Sequence, residues 1–131
     1  MTMPLLSDEQ LSPEAAAVFA DIRATRNNDF VNNFWRALAH DPVALKRTWE
    51  SLKQVMGPGS IDPLVKEMIY IAVSITNGCE YCIRSHKAAA TAKGMTDTVF
   101  MELVSVVGMA NETNRLVTAL QVAVDDRFRM P

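Results

Sequence analysis

Apolar residues recur every three or four positions along most of the chain, and the breaks between these runs carry helix start and stop signals. Ser12-Pro13-Glu14 reads as a helix start, a serine cap followed by proline at the first helical position. Leu11, Ala15, Val18, Phe19 and Ile22 then share one face until Asn27-Asn28-Asp29 interrupts. A short helix is predicted from Val31 to Ala39, bringing in Phe34, Trp35 and Leu38. Asp41-Pro42 opens a third, with Leu45, Trp49, Leu52 and Met56 inward, and Gly57-Pro58-Gly59 stops it. Asp62-Pro63 repeats the start signal before a segment, to about Thr76, that is apolar nearly all round and is therefore expected to be central. Asn77-Gly78 ends it, and the next helix runs from Cys79 to about Lys93, closed by Gly94. Thr96 caps a helix carrying Val99, Leu103, Val106 and Val107. A last one, Asn111 to Arg127, is expected to turn Leu116, Val117, Leu120 and Val124 inward. There is no hairpin-spaced alternation and no repeat of high specificity, so the pattern predicts an all-α bundle of six to seven helices over residues 1–131, one domain.

Composition narrows the class. With 131 residues the chain is long enough for a core, and 49% hydrophobic against 21% charged residues is ordinary for a globular protein. A formal charge of -2 without a basic stripe argues against nucleic acid as partner. MTMPLLSDEQLSPE does not look like a secretory leader, and no apolar run approaches the length of a membrane span. The expectation is a cytoplasmic protein without a membrane partner.

In a reducing compartment the two cysteines, Cys79 and Cys82, point to redox chemistry or metal binding. A structural bridge between them would close almost no loop entropy. On a helix beginning near Cys79, at about 100° per residue, Cys82 lies roughly 60° and His86 roughly 20° from it. The three share a face, and Tyr81 points elsewhere. Unpaired N–H groups and the positive dipole end at a helix start stabilise a thiolate, the species that attacks a peroxide oxygen or a disulfide sulfur.

Glu67 stands on the preceding, otherwise apolar helix. If the two helices fold back across Asn77-Gly78, Glu67 lies roughly 13 Å and His86 roughly 10 Å from the turn, within about one turn of the same level. A carboxylate there orients the imidazole and accepts its proton. The plainer alternatives are a Glu67–Lys87 salt bridge, a packed His86 and two buried small thiols. Metal is the sharper rival, with Cys79, Cys82 and His86 as three ligands and Glu67 as a fourth, although no second cysteine pair exists. Haem attachment needs histidine directly after the second cysteine, where Ile83 stands. His40 reads as a capping or packing residue, Tyr81 as lining the pocket mouth or packing half-exposed, and Trp35, Trp49 and the eight methionines as core or subunit interface.

Glu67, the cysteines beginning twelve positions later, and His86 four positions after Cys82 resemble the signature of the AhpD-like alkylhydroperoxidases, within the carboxymuconolactone decarboxylase superfamily. NFWRALAH at residues 33–40, before Asp41-Pro42, and Asn114-Arg115-Leu116 fit the same resemblance. It implies an all-α fold, homo-oligomers (trimers or hexamers) and reduction of organic or hydrogen peroxides by a dithiol cycle. Cys82 would form the sulfenic acid, and Cys79 would donate a proton and then resolve it as the disulfide. Glu67 and His86 would serve the relay. No cofactor is implied beyond an external dithiol reductant, a protein or a small thiol. Some members carry a histidine between the cysteines, where this chain has Tyr81, and the family's decarboxylases generally lack the pair. A disulfide-exchange or redox-sensing protein with little peroxidase activity is the alternative.

Overall fold

The computed structural model describes residues 2–129. Met1, Met130 and Pro131 lie outside them, and with them two of the eight methionines. The described residues form six α-helices and no strand: α1 (Pro13–Arg26), α2 (Asn33–Leu38), α3 (Pro42–Met56), α4 (Pro63–Asn77), α5 (Glu80–Ala92) and α6 (Asp97–Ala119). Single 3-10 turns cover Asp8–Gln10 and Asp126–Phe128.

The start signals act as the sequence predicts. The side chains of Ser12, Asp41 and Asp62 each accept a backbone N–H from the first turn of α1, α3 and α4, and proline follows each cap. Helix ends use left-handed residues. Asn27 closes α1, and Gly78 (φ 69°) and Gly94 (φ 105°) follow α4 and α5, a conformation that glycine adopts without a Cβ penalty.

The chain divides into two compact units, Met1–Gly57 and Pro58–Pro131. In the first, α1, α2 and α3 close around Phe19, Ile22, Val31, Trp35, Leu45 and Trp49, with the two indoles edge to face at 5.6 Å. Phe34 does not join this interior and remains exposed against Trp35. His40 Nε2 lies 2.9 Å from the Pro4 carbonyl and ties the N-terminal segment to the end of α2. In the second unit, α4 is the helix on which both α5 and α6 pack, around Ile71, Ala90, Met95, Leu103 and Val107.

The C-terminal third departs from the predicted pattern. The two helices expected over residues 96–107 and 111–127 are one helix, α6, ending at Ala119. A lone Gly108 costs a helix about 1 kcal/mol and does not stop it. Asn111, expected to begin the last helix, sits mid-helix, where its amide donates both to the Val107 carbonyl (2.9 Å) and to Thr76 Oγ1 of α4 (3.0 Å). Past Ala119, Gln121 takes the left-handed conformation (φ 50°), and the N–H groups of Gln121 and Val122 bond back to Thr118 and Val117. Leu116, Val117, Leu120 and Val124, expected inward, are exposed, as is Val106.

Candidate active site

The site forms where α4 gives way to α5. Gly78 lets the chain reverse, and the Cys79 N–H bonds to the Ser74 carbonyl at 2.9 Å, closing the last turn of α4. The same residue caps α5. Cys79 Sγ accepts the Cys82 N–H at 3.3 Å, the position usually held by a serine or aspartate oxygen. One residue thus ends one helix and begins the next, and both cysteines are free, half-buried thiols.

The capping bond has an electrostatic consequence. Hydrogen bonds from the Cys82 thiol and from the Cys82 backbone N–H hold the Cys79 thiol below its ordinary value. Cys82 moves the opposite way. Burial, donation to Cys79 and the Cys79 charge raise it to about 11, against a smaller opposing hydrogen bond with the Ser74 side chain. Of the two sulfurs, Cys79 is therefore the one favoured as thiolate and Cys82 the one that keeps its proton longer.

His86, two turns along α5, directs Nδ1 to Glu67 Oε2 of α4 at 2.7 Å. The expected match of levels along the two helices is met by direct contact, and the Glu67 carboxylate is only 7% exposed. Its second oxygen, Oε1, receives Lys93 Nζ at 3.4 Å. Burial by itself would push the carboxyl up, but the hydrogen bond and charge of His86, joined by Lys93, hold it below its ordinary value. The cation beside Glu67 is thus Lys93 rather than Lys87, whose ammonium lies 4.3 Å over the Phe100 ring.

Three neighbours carry no sequence signal of their own. Ser74 is buried and donates to the Tyr70 carbonyl at 2.7 Å while facing Cys82. The Tyr70 ring stacks on the His86 imidazole, centroids 3.7 Å apart. Lys93 completes the carboxylate. Helix register puts two of them near the site face, Ser74 seven positions after Glu67 and Lys93 seven after His86, each about 20° away, but only the packing of α5 on α4 shows what they meet. Tyr81 is exposed at the start of α5. Among the described residues, no group of three or more His, Cys, Asp and Glu side chains is placed to hold a metal ion, and no helix is long and apolar enough to cross a membrane.

Comparisons with known proteins agree with this arrangement at the level of the fold. The Carboxymuconolactone decarboxylase family model matches residues 42–125. An alkyl hydroperoxide reductase AhpD from Anaeromyxobacter sp. (strain K) is 30% identical over 108 residues, covering 70% of this chain. The chain spans 57% of that relative's length. The crystal structure of an alkylhydroperoxidase AhpD core from Rhodospirillum rubrum is 56% identical, with a TM-score of 0.95 over 100% of this chain and 98% of its own.

Proposed function

The chain belongs to the carboxymuconolactone decarboxylase family and is AhpD-like in sequence and fold, and from that premise we propose that it is a thiol-dependent peroxidase working through Cys79 and Cys82. The observation that carries the reading is the buried Glu67–His86 hydrogen bond beside a cysteine pair of which one thiol is acidified. A carboxylate buried in an apolar helix costs stability unless it is paired, and pairing it with a histidine near two thiols suits the movement of protons.

The first proton to leave the reduced pair passes to His86, whose imidazolium Glu67 stabilises. The remaining proton moves from Cys82 to Cys79, leaving the charge on Cys82, toward which the Ser74 hydroxyl turns its proton from the Tyr70 carbonyl. Cys82 Sγ attacks the outer oxygen of the hydroperoxide. An S–O bond forms, the O–O bond breaks, and the alkoxide takes the Cys79 proton to leave as an alcohol. The Cys79 thiolate then attacks the Cys82 sulfenic sulfur. An S–S bond forms, and the departing hydroxide takes the proton held at His86 to become water. Two thiols and one hydroperoxide thus yield a disulfide, an alcohol and water. An external dithiol restores the pair by exchange, and is itself oxidised to a disulfide.

A second reading rests on the same acidified thiol. Cys79 is the sulfur favoured as thiolate, which suits direct attack on a disulfide and a role in exchange or redox sensing. Dimedone trapping in Cys79→Ser and Cys82→Ser separates the two. The peroxidase reading expects a sulfenic adduct on Cys82 in C79S and none on Cys79 in C82S at matched peroxide. Equal trapping in both, or in neither, overturns it.

The proposal extends to assembly and place. Met101, Val106, Met109, Leu116, Val117 and Leu120 are exposed along and just past α6, an apolar surface suited to a second copy of the chain in a homo-oligomer. Sedimentation of a stable monomer would contradict that. A dithiol cycle fits the reducing cytoplasm.

A further inference from the structure

Tyr70 is the aromatic neighbour that the dithiol cycle does not use. It stands three positions after Glu67 on α4, half-buried, outside the cluster of buried apolar residues that joins α4 to α5 and α6. Its ring lies against the His86 imidazole with centroids 3.7 Å apart and planes 20° from parallel. Glu67 holds the same imidazole at its edge, through Nδ1. One hydrogen bond fixes a ring nitrogen but leaves the ring able to swing about that bond. A flat stack removes this freedom. With Nδ1 committed to Glu67, Nε2 is the nitrogen left for the cysteine pair or substrate, and the plane of the stack decides where it points.

The phenol also stays neutral. Burial, then the charges of Cys82, Cys79 and Glu67, push it above its ordinary value. These causes place Tyr70 within electrostatic reach of both thiols and the carboxylate. A neutral, electron-rich face is attractive to an imidazole that has taken up a proton. An aromatic ring that only fills space would pack among Ile71, Met68 and Ile75 on the apolar side of the helix. Tyr70 instead packs on a polar partner of the thiol site.

We propose that Tyr70 is a positioning residue for His86: its ring, rather than its hydroxyl, clamps the imidazole in the plane from which Nε2 serves Cys79 and Cys82. The inference deepens the peroxidase reading and rests on it for the rate of oxidation, while the stack itself can be measured without any turnover.

Three proteins test it: wild type, Tyr70→Phe and Tyr70→Leu, with Tyr70→Met replacing the leucine variant should that one fail to fold. The first readout is the stopped-flow rate of oxidation of the reduced protein by cumene hydroperoxide. Y70F is expected within about twofold of wild type and Y70L about tenfold slower, because a small misplacement of a proton carrier is costly. The second is the NMR ring-current shift of the His86 ring protons, expected in wild type and Y70F and lost in Y70L. Wild-type rates in Y70L overturn the proposal. So does a Y70F rate as low as that of Y70L, which would move the role to the hydroxyl. Should the wild type itself fail to react with peroxide, the peroxidase reading falls. Tyr70 is then judged by reaction of the same proteins with a small aromatic disulfide: a slow Y70L beside a normal Y70F upholds the clamp, and equal rates overturn it.

Discussion

Among the described residues of the unit formed by residues 1–57, the buried side chains are all hydrophobic, and its carboxylates work from the rim. Asp21 takes the Trp49 indole N–H and Lys53, each at 2.6 Å, and Asp8 joins Arg23 and Arg36. In the unit formed by residues 58–131, the buried apolar set is smaller, and Glu67 and Ser74 are the buried polar side chains among the described residues. Desolvating a carboxylate is expensive, so its burial needs partners, and Glu67 has two. The first unit applies the rules of stable packing throughout. The second breaks one of them at the level of the cysteines, as functional sites do.

The contrast predicts that damage to each unit reads out differently. Phe19→Ala, which empties the centre of the first core, should cost about 3–5 kcal/mol in urea unfolding. The folded fraction should still oxidise Cys79 and Cys82 at the wild-type rate. A collapsed rate per folded molecule would break the comparison. Glu67→Gln keeps the shape and removes the charge. It should slow peroxide-driven disulfide formation about 100-fold, measured by stopped flow, with a much smaller change in unfolding midpoint.

Acid titration sharpens the same point. The folded Glu67 carboxyl sits below its ordinary value of 4.5. Its contribution to stability is therefore present above that value and is lost as pH falls through the lower, folded one. The stability difference between wild type and E67Q should be largest near neutrality and shrink on acidification. A difference that grows toward acid would mean that the carboxyl is held protonated in the fold. At the small end, Arg84→Ala removes an exposed pair with Glu80 one turn away on α5. It should change stability by less than about 0.5 kcal/mol and leave thiol reactivity alone.

Much of this was legible in the sequence, because helix starts and the thiol face are local. Ser12-Pro13, Asp41-Pro42 and Asp62-Pro63 carry their caps and first turns within three residues, and Gly78 and Gly94 mark ends that need positive φ. Cys79, Cys82 and His86 share a face by helix geometry, and the Glu67 contact follows from the short turn. The end of α6 was not legible, since Gln121 takes a conformation for which glycine is the usual signal. Nor was the merger of two predicted helices, within which Asn111 meets Thr76, 35 positions away in sequence. Lys93 rather than Lys87 reaches Glu67 because Lys87 finds the Phe100 ring. Tyr70 and Ser74 look like ordinary members of an apolar helix until α5 is laid against them.

The central claim, that the second unit gives up apolar packing for peroxide chemistry at its cysteine pair, is tested most directly by single-turnover oxidation of the reduced protein. Cumene hydroperoxide would be mixed in stopped flow and the product read by intact mass. The account predicts rapid, peroxide-dependent loss of two hydrogens in wild type, with the bond mapped between Cys79 and Cys82, and none in C82S. Oxidation no faster than that of free cysteine, or equally fast without Cys82, would contradict it.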